Sequence, residues 1–197
     1  MATKKAVLAL AVVGLMGASV AIADVLTLTS SPNAPILPDN GCVDDATGTG
    51  DGGITDVISF PAIATIADVD VAVEITHTWR GDLQIGLSFS GGGGTIVLAN
   101  NHDTSGDNYY ATFDDEGAAP CGDAANCGTG ANCVAAPGPI CQPDVALSAF
   151  DGLSATPGDF TLAICDRATG DLGTLLSWSV TVDAATVPVE LMGFDVS

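Results

Sequence analysis

The chain has 197 residues, with 24 acidic side chains against four basic ones and a formal net charge of −20. Hydrophobic residues make up 47% and charged residues only 14%, enough apolar material for a core, which excludes a disordered polyelectrolyte. Such acidity also argues against nucleic acid and anionic membranes as partners, since binding either requires Lys or Arg to neutralise phosphate.

Lys4 and Lys5 precede an apolar run from Ala6 to Val20 that closes on Ala21-Ile22-Ala23. This reads as a secretory signal peptide over residues 1–23, too short and wrongly flanked for a stable membrane anchor. Its removal takes both lysines and leaves Arg80 and Arg167 against all 24 acidic residues, a net charge of −22 on an exported chain. That excess serves solubility in a salty medium, a metal site, or both. Residues 24–184 are of ordinary single-domain size. With 24 Gly, 10 Pro and no helical period outside the signal, the chain reads as all-β.

Val25–Thr29 alternates and is either a first edge strand or a linker. Residues 30–53 are loop material. Val69, Val71, Val73 and Ile75 alternate with polar or small residues, a period of two that buries one face of a strand. Leu83, Ile85, Leu87 and Phe89 repeat the pattern after a Trp79-Arg80-Gly81-Asp82 corner. Gly91–Gly94 reads as a hairpin turn into Thr95–Leu98; with no basic residue or helix after it, it is not a phosphate loop. Tyr109–Phe113 is a short strand candidate before the acidic triplet Asp114-Asp115-Glu116. Residues 118–143 form a Cys-rich surface loop. Phe160–Ile164 is a strand, and a last one places Leu176, Trp178, Val180 and Val182 on one face, with Trp178 in the core. Weaker candidates lie at Val57–Phe60 and Leu147–Phe150. About eight strands suit a β-sandwich or jelly roll. The tail, 185–197, is a linker stub, an extra edge strand or a sorting element.

Six cysteines in an exported chain imply disulfides. The simplest of fifteen pairings joins Cys121, Cys127, Cys133 and Cys141 among themselves and Cys42 with Cys165. A zinc site lacks both Cys-x-x-Cys spacing and a nearby histidine.

Several segments in order carry a resemblance. They are Ile66–Val71 leading into His77-Thr78-Trp79-Arg80-Gly81-Asp82-Leu83, then Ser105–Asn108, Thr112–Glu116, Leu147–Gly152, Gly158–Leu162, and Asp166 through Gly170-Asp171 to Ser177-Trp178-Ser179. Together they resemble the P-domain of the proprotein convertases, from about Pro38 to Asp183, with the Cys-rich insert as a departure. The resemblance implies a jelly-roll β-sandwich that packs on a subtilisin-like catalytic domain, stabilises it, and influences its calcium and pH dependence.

No catalytic residue is assigned. Neither a Gly-Thr-Ser-x-Ala nor a His-Gly-Thr segment occurs, and no Gly-x-Ser-x-Gly elbow supports a triad around His77 or His102. Asp103-Thr104-Ser105-Gly106 falls inside the P-domain-like pattern, and His77 is read as orienting the corner by hydrogen bonding. Calcium is the expected cofactor, because it takes six to eight oxygen ligands and Asp82, Asp114, Asp115, Glu116, Asp166 and Asp171 sit at corners and Gly-flanked loops. Ordinary turn chemistry competes with that reading, and no EF-hand loop is present. Trp79 and Arg80 are the candidate binding residues. The expected function is a secreted, non-catalytic accessory module whose protein partner is an exported protease or a surface protein. The alternatives are a carbohydrate-binding or cell-envelope module, and a part of a serine-type endopeptidase system.

Overall fold

Alternating apolar residues set the two longest strands of the chain. In a computed structural model that describes residues 24–37, 53–61, 65–101, 106–121, 138, 140–154 and 157–184, the period of two around Val69–Ile75 becomes a twelve-residue strand, Ile66–His77. A second twelve-residue strand, Gly173–Ala184, lies antiparallel to it. In chain order the strands are β1 (Asp24–Ser30), β2 (Ala34–Ile36), β3 (Ile54–Phe60), β4 (Ile66–His77), β5 (Leu83–Phe89), β6 (Gly92–Asn100), β7 (Tyr109–Phe113), β8 (Ile140–Cys141), β9 (Gly158–Asp166) and β10 (Gly173–Ala184).

Two sheets face each other as a sandwich. One runs β1-β10-β4-β7-β8, with β2 also paired to β10, and the other runs β3-β9-β5-β6. Every pairing is antiparallel except the short β7–β8 contact. The core lies between the sheets. Val69, Val71, Val73 and Ile75 face Leu83, Ile85, Leu87 and Leu162, all buried, and each such side chain contributes roughly 1.5–3 kcal/mol by leaving water. At one end Phe60, Phe89, Phe150 and Phe160 pack ring on ring, with Phe89 stacked on Phe160 at 4.5 Å and Phe60 edge-on to Phe160 at 5.4 Å. Trp178 is buried as expected, and its Nε1–H donates to Asp56 Oδ2 at 2.7 Å. That bond meets the polar need of an otherwise apolar side chain.

Several expectations are refined. The strand count is ten among the described residues rather than about eight. Val25–Thr29 is an edge strand and not a linker, because β10 supplies it with a full hydrogen-bonded partner. Leu147–Phe150 is a 3-10 turn instead of a strand; Asp115 Oδ1 and Oδ2 accept the amides of Leu147 and Ser148 at 2.8 and 2.9 Å and hold its start. In β10 the register shifts between Leu175 and Ser177. The bulge turns Leu175 into the core and leaves Leu176 half-exposed, the reverse of what strict alternation predicts.

Within the Cys-rich segment a Cys121–Cys141 disulfide is present, consistent with pairing inside that cluster, and Cys165 is also disulfide-bonded. Cys42, Cys127, Cys133, the signal segment, His102, Ser105 and the tail lie outside the described residues. Among the described residues no helix is long and apolar enough to cross a membrane.

Candidate functional site

The sheets meet at a corner where β4 ends, β5 begins, β9 ends and β10 starts. Register places Gly173 opposite His77 and Asp166 opposite Leu83, so residues nearly ninety positions apart become neighbours. The His77 and Asp166 side chains are both fully buried, with Nε2 and Oδ2 3.2 Å apart. With Nε2–H donating to the carboxylate, Nδ1 accepts the Trp79 amide at 3.1 Å. The Trp79 carbonyl oxygen lies 2.9 Å from the same Nδ1, ready to accept a proton placed there. The other Asp166 oxygen accepts the Ala168 amide at 3.0 Å. A buried carboxylate thus gains a histidine and an amide in place of water, which is the condition for burying it.

The rest of the corner is bonded as densely. Thr78 donates its hydroxyl to Asp171 Oδ1 at 2.7 Å and accepts the Leu172 amide, while its own amide donates to the Leu172 carbonyl. Asn108 sits at φ +62° and exchanges two bonds with the His77 backbone; asparagine tolerates that left-handed conformation. Gly173 is required for a different reason: a β-carbon there would overlap the His77 ring and the Thr76 carbonyl. Arg80 is folded under the corner, 4% exposed, and burial lowers its pKa. Trp79 is the reverse, 44% exposed, and Leu172, bonded to Thr78, is 58% exposed. Of the two candidate binding residues, only Trp79 presents its side chain to solvent. An open cleft of about 300 Å³ lies at the corner, lined by Thr76, Thr78, Asp107, Asn108, Leu172 and Thr174 among others, but not by Trp79.

The six expected calcium ligands divide between two ends of the sandwich. Asp82, Asp166 and Asp171 belong to the corner. There Asp82 is pushed up by burial and by the negative charges of Asp166 and Asp171, with His77 opposing. Asp114, Asp115 and Glu116 follow β7, whose Phe113 pairs with Val71. They therefore lie near Asp70, seven residues and roughly 23 Å along β4 from His77. No single ion touches both groups. Their oxygens are also engaged: Asp115 holds two amides, and Asp114 Oδ1 accepts the Glu116 amide at 2.7 Å. Among the described residues, no three His, Cys, Asp or Glu side chains converge to hold an ion.

The second end contains a residue that the motifs did not single out. Asp70 is pushed up to about 6 by burial, then by Asp114, Asp68, Glu116 and Asp115, and its Oδ1 is buried without a hydrogen-bond partner. The available signal was the alternation of β4, which puts Asp68 and Asp70 on the face that Asp114 reaches. Asp166, one of the expected metal ligands, is in this structure the buried partner of His77.

Residues 66–182, from the first residue of β4 almost to the end of β10, match the proprotein convertase P-domain. The chain belongs to the P-domain family. The match takes in the whole corner and most of both sheets, while β1, β2 and β3 of this P-domain precede it and complete the same two sheets. Comparison with curated proteins finds no match. Among solved structures, the serine protease of Aeromonas sobria is similar at 16% identity and a TM-score of 0.44, over 82% of this chain and 26% of that one. The complex of the Aeromonas sobria serine protease with the chaperone is similar at 16% identity and 0.45, over 83% and 27%. The chain thus spans about a quarter of the length of the solved structures it matches.

Proposed function

We propose that this P-domain is an exported, non-catalytic accessory module that binds and stabilises a protein partner, a subtilisin-like serine protease in the first instance. One observation carries the reading: every described element belongs to the P-domain sandwich or completes its two sheets. The chemistry of the corner supports it. His77 and Asp166 resemble two members of a catalytic triad, but both are buried and their polar atoms are spent on the backbone of Trp79 and Ala168. A general base needs an accessible proton acceptor, and this pair supplies rigidity instead. The basic start and apolar run of residues 1–23 support export.

The test is affinity purification of the epitope-tagged chain from culture medium of its native host, followed by thermal inactivation of the recovered protease with and without the purified chain. The reading expects a subtilisin-like protease in the complex and a longer half-life when the chain is present. Recovery of no protease, or an unchanged half-life, refutes it. Peptidase activity of the purified chain itself, lost in His77→Ala, would replace it with an enzymatic reading.

A further inference from the structure

Side chains on the outward face of the first sheet fall into three zones along β4 and β10. At the corner end Leu37 follows β2 and Leu172 precedes β10, and the β2–β10 register carried one residue further sets them opposite each other. Leu172 in turn shares two hydrogen bonds with Thr78, so the row runs Leu37, Leu172, Thr78. Both leucines are exposed, at 47% and 58%. The middle zone is built of short side chains, with Ala72 opposite Ser179 on one side and Thr112 on the other. At the far end Asp68 pairs with Asp183 and Asp70 with Thr181, and the β4–β7 register carried one residue past Phe113 sets Asp114 opposite Asp70. These outward residues keep part of their surface in solvent, while Val69, Val71, Val73 and Trp178 between them fill the core.

Neither end of this face is compensated within the described chain. Two large aliphatic side chains stand in water at one end. At the other, Asp70 and Asp183 each have a carboxylate oxygen with no hydrogen-bond partner. The described arginines lie elsewhere, Arg80 buried at the corner and Arg167 bonded to Asp82 after β9 of the second sheet.

Charge and shape narrow what covers such a face. Nucleic acid or an anionic bilayer adds like charge. A second copy brings another formal charge of −20, which opposes association. A lone metal ion needs converging ligands, and among the described residues no such group exists. A protein surface with an apolar side chain and, some distance along, a group of Lys or Arg matches both ends. Thr78 and Asp68 are roughly 33 Å apart along β4, and four strands at about 4.8 Å spacing give the face about 600 Å². That is close to one partner's share of an ordinary protein–protein interface.

We propose that this outward face docks the protein partner, which presents an apolar side chain to Leu37 and Leu172 and a Lys- or Arg-rich segment to Asp68, Asp70 and Asp114. This inference rests on the accessory role and names the surface that performs it.

The test places a photo-crosslinking p-benzoylphenylalanine at Leu172, at Thr112 or, as control on the second sheet, at exposed Val57. The tagged full-length chain is expressed in its native host and recovered from culture medium after illumination. The expected result is a subtilisin-like protease cross-linked from positions 172 and 112 and not from 57. Against that purified protease, calorimetry should find binding weakened about tenfold or more in Leu172→Asp. Asp68→Lys should weaken it several-fold, a loss that shrinks in high salt. Both positions face solvent, so the free variants should be at least as stable as wild type, which separates lost docking from lost folding. A protease that co-purifies but cross-links no better from 172 than from 57, or that binds both variants with unchanged affinity, overturns the docking face and leaves the accessory role standing. Recovery of no protease defeats that role and this inference together. Cross-linking of the chain to itself from position 172 would assign the face to self-association and also overturn it.

Discussion

Asp70→Asn isolates the electrostatic cost of the acidic end. The Asp70 carboxyl is half-buried on the outer face of β4 and is pushed from an ordinary 3.8 to about 6 by burial and by Asp114, Asp68, Glu116 and Asp115. No described cation opposes them, since Arg80 lies at the other end and Arg167 follows β9. The sign follows from linkage. Below about pH 4 the carboxyl is protonated in both the folded and unfolded chains and makes no difference. As pH rises through about 6 the folded protein takes on a charge that its surroundings resist, and stability falls. That difference sets a ceiling of about 3 kcal/mol, which solvent screening at a half-buried site reduces to about 1–2 kcal/mol. Asn keeps the shape and removes the charge. Asp70→Asn should therefore melt roughly 3–6 °C higher than wild type at pH 8, and at the same temperature at pH 4. The assay is thermal unfolding by circular dichroism at low salt with chelator present, at pH 4, 6 and 8. Added salt should shrink the gain at pH 8. A gain of equal size at pH 4, or a loss at pH 8, refutes the electrostatic account.

Other perturbations test the corner and the acidic turns. His77→Ala strands the buried Asp166 carboxylate and should cost about 3–5 kcal/mol in chemical denaturation at neutral pH; a loss below about 1 kcal/mol would mean the pair does not hold the corner. Gly173→Ala forces a methyl into the His77 ring and the Thr76 carbonyl, and should cost about 1–3 kcal/mol while leaving the far end unchanged in hydrogen exchange. Asp115→Ala releases two amides of the Leu147–Phe150 turn and should cost about 1–3 kcal/mol; an unchanged denaturation midpoint would refute the capping role. Millimolar calcium should raise the melting temperature no more than equimolar magnesium does. A larger, calcium-specific rise lost in Asp82→Ala would establish the acidic corner as a metal site.

Which faces are buried could be read from the residues wherever the chain obeys a strict period of two. The inward set of β4 and β5 and the burial of Trp178 were legible because alternation is a local property, and each residue's side is fixed by its neighbours. The resemblance carried by His77–Leu83 and the later segments was legible for the same reason. Features that depend on strand pairing were not legible in this way. β2 and β8, three and two residues long, have no pattern of their own and exist because β10 and β7 offer them hydrogen bonds. The bulge that swaps Leu175 for Leu176 is a register event between β10 and β4. The Leu147–Phe150 turn contains apolar residues that suit a strand until Asp115, more than thirty positions earlier, captures its amides. Asp166, read as a loop residue, is instead the buried last residue of β9, and composition cannot say which end of a sandwich each acidic loop reaches. The closing of the fold separated Asp82 from Asp114, buried Arg80 while leaving Trp79 exposed, and joined His77 to Asp166. Those three facts follow from how two sheets close over a core, which no local window of the chain contains.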